Sequence, residues 1–215
     1  RTSDKIGKNC SAMPEDIVKL QKTNPKEYVE KVVAYINSVA DNDFEKIKMV
    51  FDIEQEILTY DHETWQKSLQ KIAIAKKGVG EDYKLYKKNL NELSKKAPKD
   101  YPDQSWKNVL ESGTCVCNGY AQLMQYFCYK LGIKCAWISN PEDMIFAEGH
   151  AWNIVEINGE HYHLDATWGP SWLFMEPEAF LKGGHFPKES EQQLLEKPMT
   201  LDEYKKLKNY KGNNS

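Results

Sequence analysis

Apolar residues recur every three to four positions along much of the first 130 residues, which is the spacing of amphipathic helices. Residues 26–36 show this spacing directly after Pro25, and proline fits the first turn of a helix. Residues 43–58 repeat the pattern. A third helix is predicted over 116–131, because Gly132 stands where a helix-ending glycine belongs.

Residues 63–100 differ from the rest because they are rich in lysine. Their apolar positions keep helical spacing, and Gly78 and Gly80 interrupt the run. The stretch therefore predicts a surface helix or a helical hairpin. A solvated lysine face is the favoured interpretation, and an acidic partner is the alternative.

In the last third of the chain the period changes to two. Residues 134–139, 150–157 and 160–167 predict strands, and the Asn-Gly pair at 158–159 predicts a two-residue hairpin turn. Helices followed by an antiparallel sheet indicate an α+β fold.

The chain organisation follows from these elements. Residues 1–25 are interpreted as an irregular lead-in, 26–211 as a single domain with the helical insert at about 63–100, and 212–215 as a frayed tail. A chain of 215 residues can bury a core without metals or disulfides.

Composition removes several function classes. The net charge is −3, so the basic excess usual in nucleic-acid binders is missing. No apolar run is long enough for a membrane span. Five cysteines are too few for a disulfide scaffold of this size. Since the sequence starts at Arg1 rather than methionine, we expect a trimmed start and favour a secreted or cell-surface location.

Cys117 lies at the predicted start of the third helix, within the segment 113–121. A cysteine in a first helical turn meets the positive end of the helix dipole and unpaired backbone N–H groups, which favour the thiolate. The glycines of the segment are expected to let another chain, such as a substrate, approach closely.

The predicted hairpin brings a histidine and an aspartate together. A two-residue turn at 158–159 pairs Ile157 with Glu160. His150 and Asp165 then lie on one face as diagonal neighbours, about 7 Å apart at the backbone. A carboxylate beside an imidazole fixes its tautomer, and an imidazole beside a thiol generates the thiolate. The contact between His150 and Cys117 is long-range and is an inference.

Three motifs in this order resemble the transglutaminase-like superfamily. The first is Cys117-x-Gly-Tyr-Ala at the helix start. The second is Gly-His150-Ala-Trp-Asn, and the third is Leu-Asp165-x-Thr-Trp, both on predicted strands. Residues 43–47 and 57–61 are similar to the helix that precedes the catalytic segment in this family.

Downstream, residues 185–187 and 193–195 resemble the branch that includes kyphoscoliosis peptidase and its microbial relatives. The resemblance covers about residues 26–205, and 63–100 match poorly. It implies a papain-like, transglutaminase-like α+β core, in which N-terminal helices place the nucleophile at a helix N-terminus packed on an antiparallel sheet.

By this resemblance Cys117 is the nucleophile, His150 is the general base and acid, and Asp165 orients the imidazole. The expected activity is acyl transfer at peptide or isopeptide amides through a thioester, with a protein or peptide as substrate. No metal or organic cofactor is implied. Transglutaminases often use calcium, but no acidic loop of the EF-hand kind is present.

Alternatives remain at two of these positions. Cys115 lies two residues before Cys117 and could instead pack or pair with another cysteine. Cys115 and Cys117 with a nearby histidine also hint at zinc, but the second ligand pair of a structural zinc site is missing. His163 falls on the same predicted face as His150, and only the family position favours His150.

The remaining site residues are less determined. A backbone N–H of Cys117 is a natural oxyanion donor, and Tyr60, Trp106 and Gln104 are the candidate side-chain donors. Two tryptophans within the second and third motifs are candidates to line an acyl-binding cleft, namely Trp152 and Trp168.

The function predicted from these features is a thiol-dependent acyl-transfer enzyme, with a cysteine peptidase favoured over a protein cross-linker. Hydrolysis and transfer share the thioester and differ in whether water or an amine attacks it. The alternative from another class is a non-catalytic binding or scaffolding module of the same fold.

Overall fold

The computed structural model describes residues 13–96, 103–139 and 149–175. The helices of the described chain are α1 (Glu15–Val18), α2 (Leu20–Thr23), α3 (Pro25–Val39), α4 (Asp43–Ile57), α5 (His62–Lys76), α6 (Tyr83–Lys96), α7 (Trp106–Ser112) and α8 (Cys117–Leu131). The strands are β1 (Thr59–Tyr60), β2 (Thr114–Cys115), β3 (Cys135–Ser139), β4 (Ala151–Ile157) and β5 (Glu160–Leu164).

The predicted α+β class is confirmed by this order of helices before sheet. Strands β3, β4 and β5 form an antiparallel sheet in that spatial order, and β1 pairs with β2 in parallel. The turn between β4 and β5 has positive φ at Asn158 (55°) and Gly159 (79°), as a two-residue primed turn requires. Ile157 pairs with Glu160, so the predicted register is correct.

Helix α8 is the centre of the molecule. Ten of its fifteen residues are buried, because it packs against α3, α4 and α7 on one side and the three-stranded sheet on the other. It ends at Gly132, whose φ of 74° is the left-handed conformation predicted there. Since α8 begins at Cys117, the most tightly packed helix of the fold carries the candidate nucleophile.

Local signals explain the two long helices that cover α8. Asn24 accepts a hydrogen bond from the backbone N–H of Glu27 and precedes Pro25 at the start of α3. Asn42 caps α4 in the same way through the N–H of Glu45. These side chains satisfy backbone donors that a helix start leaves unpaired.

Part of the predicted lead-in over 1–25 is wrong, because α1 and α2 lie within it. Ile17 is buried, and the side-chain amide of Gln21 donates to the Leu110 carbonyl at 3.2 Å. Helix α2 packs against α7, and α1 packs against α2 and α3.

The last predicted strand ends earlier than its pattern indicates. Strand β5 stops at Leu164, and residues Ala166–Trp168 form a 3-10 helix. The cause is Asp165, whose carboxylate accepts a hydrogen bond from the Thr167 backbone N–H at 3.1 Å. A side chain that bonds two residues ahead offers the backbone an alternative to the ladder.

Helices α5 and α6 form the helical hairpin expected in the lysine-rich stretch. They share a small apolar cluster separate from the main core, centred on the buried residues Ala75, Val79 and Tyr86. The predicted domain bounds and the insert remain predictions. The motifs at 185–187 and 193–195, the tail at 212–215 and Cys10 lie outside the described residues.

Candidate active site

Two short strands hold the chain in place just before the candidate nucleophile. The backbone N–H of Thr59 donates to Gly113 O and that of Asp61 donates to Cys115 O, each at 2.9 Å. Cys117 follows as the first residue of α8 and is half-buried, whereas the other cysteines of the described chain are buried. The thiol with access to a substrate is therefore that of Cys117.

A close contact explains the glycine in the first motif. A Cβ added to Gly119 would lie 2.4 Å from Cys115 Cβ and 2.8 Å from Gln104 Oε1. The predicted role of this glycine, close approach by a substrate, is corrected to close packing inside the protein. Gln104 Oε1 also accepts the Val116 N–H at 3.0 Å, which fixes the residue that precedes Cys117.

His150 is held by Asp165. Its Nε2 lies 2.5 Å from Asp165 Oδ2, and the other carboxylate oxygen accepts the N–H of Thr167. Asp165 is only 1% exposed, so the pair is shielded from water on the side of the carboxylate. The diagonal contact predicted from the hairpin register is present.

The other ring nitrogen of His150 is the one available to the Cys117 thiol. Cys117 is within side-chain hydrogen-bonding reach of the His150 ring, and Nδ1 is the nitrogen left once Nε2 faces Asp165. Burial lowers the pKa of His150, but the hydrogen bonds to Asp165 and Cys117, with their negative charges, outweigh it and raise the pKa to about 10. The structure thus brings Cys117, His150 and Asp165 together in one chain of contacts.

His163 does not compete for this position. It is buried, and its Nδ1 accepts a hydrogen bond from Trp152 Nε1 at 3.0 Å. Trp152 is itself 1% exposed and packs in the sheet core, so its predicted place in a cleft wall is wrong. The Trp152 ring lies 6.1 Å from that of His150 between centroids, on the buried side of the imidazole.

Trp168 occupies the open side of the site. Its ring is stacked on that of His150 at 4.8 Å between centroids and 21° between planes, and its side chain is 43% exposed. Trp172 meets it edge to face at 4.8 Å. An exposed indole against the imidazole is the geometry of a cleft wall.

The three predicted oxyanion donors are placed differently. Gln104 is buried beside the residue before Cys117. Tyr60 pairs with Cys115 through the parallel strands, and its ring contacts that of His62 at 5.0 Å. Trp106 is not brought to the nucleophile, because it stacks on Tyr126, about 13 Å further along α8 at the usual helical rise.

Asn153 is a positioning residue to which the sequence patterns assigned no role. Its side-chain amide donates to Ala121 O at 2.9 Å and to Ala136 O at 3.3 Å. The first bond joins β4, which follows His150, to α8, which carries Cys117, and the second joins β4 to β3. Asn153 is the last residue of the second motif, and this position is the sequence signal that could have identified it.

Glu54 is a second buried polar group without a predicted role. It is 0% exposed, and neither carboxyl oxygen has a hydrogen-bond partner among the described residues. Burial, followed by the nearby Cys128 and Asp165, raises the pKa of Glu54 well above its ordinary value. Its neighbour Gln55 donates to Ala166 O at 2.5 Å, so this end of α4 packs under the residue after Asp165.

The described residues contain neither a metal-binding cluster nor a membrane-spanning helix. Within residues 13–96, 103–139 and 149–175, no group of three or more His, Cys, Asp or Glu side chains is arranged to hold a metal ion. No helix in those ranges is long and apolar enough to cross a membrane.

Comparisons with known proteins agree with the motifs. Residues 83–166 match the profile of the Transglutaminase-like superfamily. Kyphoscoliosis peptidase from Mus musculus and from Homo sapiens are each 25% identical over 121 residues, which is 45% of this chain and 18% of the relative. The chain thus spans less than a fifth of these relatives.

A solved structure described as a TGase covers 77% of this chain and 36% of its own, at 16% identity and a TM-score of 0.43. The profile match extends from helix α6 to Ala166 and therefore includes all three contacting residues, Cys117, His150 and Asp165. The three motifs and the profile match over residues 83–166 support the assignment of this chain to the transglutaminase-like superfamily, and its similarity to kyphoscoliosis peptidase supports that branch.

Proposed function

We propose that this protein is a cysteine-dependent acyl-transfer enzyme that acts on peptide or isopeptide amides. The observation that carries the proposal is the chain of contacts from Cys117 through His150 to Asp165. A half-buried thiol, an imidazole and a buried carboxylate in this order are what covalent acyl transfer requires.

The proposed reaction proceeds through two proton transfers by His150. The Cys117 thiolate attacks the amide carbonyl carbon, and the His150 imidazolium gives its proton to the leaving amine as the C–N bond breaks. The product is a thioester on Cys117. Water or a primary amine next attacks the thioester, and His150 takes its proton. The C–S bond then breaks, the acid or new amide leaves, and the Cys117 thiolate is restored beside the His150 imidazolium.

Asp165 acts in this scheme through His150. The carboxylate binds Nε2 and keeps Nδ1 directed at the thiol, while its charge stabilises the imidazolium. Asp165 is itself fixed by the Thr167 N–H and by its own N–H, which donates to Trp172 O at 2.9 Å. Little reorganisation is needed when the imidazole becomes charged.

For the oxyanion we assign the backbone N–H of Cys117 and, among the side chains, Gln104. A helix start offers unpaired N–H groups to a developing negative charge. Gln104 is held at this start by the Val116 N–H, which occupies its oxygen. Trp106 is not assigned because it packs on Tyr126, and Tyr60 remains the alternative donor.

We favour hydrolysis over cross-linking. The support is that the two curated relatives of this chain are named as peptidases. The cleft wall formed by Trp168 suits a peptide backbone in either case, so it does not discriminate.

The proposal is tested by thiol labelling. Wild type is treated with limiting iodoacetamide from about pH 5 to pH 9, around the reference thiol value of about 8.5, and the label is located by peptide mapping. We expect Cys117 to react first and quickly at the acid end of this range, and His150→Ala to remove that fast reaction. The His163→Ala variant, which removes a buried imidazole away from the thiol, is the matched control.

Slow labelling with the same pH profile in wild type and His150→Ala would contradict the proposal. It would favour the alternative of a binding module with the same fold. If labelling is fast, turnover of fluorogenic peptides against incorporation of a labelled amine distinguishes hydrolysis from acyl transfer.

A further inference from the structure

The charge of this protein is divided unevenly. Residues 62–96, the hairpin of α5 and α6, hold nine lysines and four acidic residues and so carry a net charge of +5. The whole chain carries −3, so the remaining residues sum to −8. The hairpin is a basic projection on an otherwise acidic protein.

Most of this charge lies on one surface of α6. Lys84, Lys87, Lys88 and Lys95, which we call the lysine face, line a shallow open cavity of about 450 Å³ together with Tyr83. Their spacing of three, four and seven to eight residues places them along one side of the helix. The lining contains a single acidic residue, Glu92.

Three of the four lysines of this face have no carboxylate partner among the residues that the structure describes. Lys67 on α5 is paired with Glu63 at 2.8 Å. In contrast, Lys84, Lys88 and Lys95 form no ion pair with any residue that the structure describes. Glu92 is the one carboxylate on this side of the helix and forms no ion pair with these three lysines within the described chain. The three ammonium groups therefore repel each other, and an anionic ligand relieves that repulsion.

The hairpin is connected through β1 to the segment that precedes the nucleophile. Helix α5 starts at His62, directly after β1, and β1 pairs with the strand that ends at Cys115. Asp61 caps α5 directly after β1. Its carboxylate accepts hydrogen bonds from the backbone N–H and the hydroxyl of Thr64, at 2.9 and 2.6 Å. A ligand on the hairpin is thereby held by the segment that also positions Cys117.

We propose that the lysine face docks an acidic segment of the protein substrate, about five residues long, while an amide of the same substrate reaches Cys117. The inference rests on the proposed function and names the substrate class. From Lys84 to Lys95 the helix rises about 16 Å, which an extended chain covers with about five residues at roughly 3.3 Å each.

The charge division favours a short acidic peptide over an extended polyanion. A nucleic acid or a membrane surface would continue past the hairpin toward the part of the chain that carries −8, and would be repelled there. The hairpin also contains no arginine, the residue that dominates phosphate recognition.

The test measures binding without turnover. Full-length Cys117→Ala protein is titrated against a fluorescein-labelled hexaglutamate peptide, with anisotropy read at about 20 mM and 200 mM salt, on either side of effective screening. We expect binding at low salt that weakens at high salt. The triple variant K84E/K88E/K95E should bind at least tenfold more weakly, and K84Q/K88Q/K95Q should lie between.

The matched control reverses three lysines elsewhere, Lys26, Lys31 and Lys107, on α3 and α7. It changes net charge equally and should retain binding within twofold. Circular dichroism melting shows that each variant is folded. Equal loss in the control, or no binding by the Cys117→Ala protein, overturns the proposal. Tighter binding of an oligonucleotide or of anionic lipid vesicles than of hexaglutamate also overturns it.

Two results separate this inference from the proposed function. If Cys117 is labelled quickly but hexaglutamate does not bind, only the docking surface is wrong. If hexaglutamate binds the lysine face but Cys117 is unreactive, the surface stands and the enzyme assignment fails. In an active enzyme, K84E/K88E/K95E should raise KM for an acidic substrate and leave kcat on a small neutral substrate unchanged.

Discussion

The carboxylate of Asp165 lies 2.5 Å from Nε2 of His150, on the side of the ring away from the Cys117 thiol. The same carboxylate begins the 3-10 helix that follows β5. One side chain therefore ends a strand, starts a turn and orients an imidazole, which links the local fold to the chemistry.

We expect Asp165→Asn to retain the fold but lower kcat/KM about 100-fold or more, the scale of a lost acid–base contribution. Asparagine can still accept the Thr167 N–H, but it cannot stabilise the imidazolium by charge. Asp61→Asn is the control, because Asp61 caps α5 and has no imidazole partner. Equal activity of the two variants on a fluorogenic peptide would remove Asp165 from the mechanism.

The pKa of His150 predicts how stability changes with pH. Its folded value of about 10 lies above the ordinary 6.5, so the folded state binds this proton more tightly. The contribution to stability is complete below about pH 6.5 and is lost as pH rises from there through about 10. Urea unfolding of wild type and His150→Gln at pH 6, 8 and 10 should show this difference shrinking.

For the proposed acyl-transfer activity, the same pKa of His150 sets the alkaline limit. Activity should fall as pH rises through about 10, where His150 loses the proton needed by the leaving amine. Because Asp165 raises this pKa, residual activity of Asp165→Asn should decline at a lower pH. If activity falls at the same alkaline pH in wild type and in Asp165→Asn, the fall does not come from the His150–Asp165 pair.

Gly119→Ala should destabilise the protein by about 1–3 kcal/mol, the usual cost of overpacking. The new methyl group would lie 2.4 Å from Cys115 Cβ, and that cysteine is fixed in β2. Gly149→Ala is the control, since nothing lies within 4 Å of its added Cβ. Chemical denaturation measures both, and Gly119→Ala/Cys115→Gly should recover part of the loss.

Glu54→Gln should stabilise the protein at neutral pH. A pKa raised in the folded state means that the folded chain holds a proton which the unfolded chain releases, so wild type loses stability as pH rises above about 4.5. The glutamine variant has no such titration. Wild type should fall relative to it by up to about 1.4 kcal/mol per pH unit in that window.

Denaturant unfolding of both proteins between pH 4 and pH 8 checks this prediction. A difference in stability that does not change over the range would mean that Glu54 is charged or solvated in the fold. Glu54→Leu, which removes the polar atoms as well, reports separately on the unpaired carboxyl oxygens.

The sequence by itself determined the local elements and the chemistry-bearing residues. Pro25, the 158–159 turn and Gly132 each dictate backbone geometry through their own covalent structure, so the α3 start, the hairpin register and the α8 end were predicted correctly. Because register follows from turn length, the neighbourhood of His150 and Asp165 was also predictable.

Only the tertiary structure decided the contacts between distant segments. The Cys117 to His150 contact, the packing of Gln104 against Gly119 and the burial of Glu54 join segments separated by many residues. No periodicity encodes them, because they depend on how α8, α4 and the sheet pack. Burial likewise separated Trp152 from Trp168, two tryptophans whose sequence surroundings are alike but whose exposures are 1% and 43%.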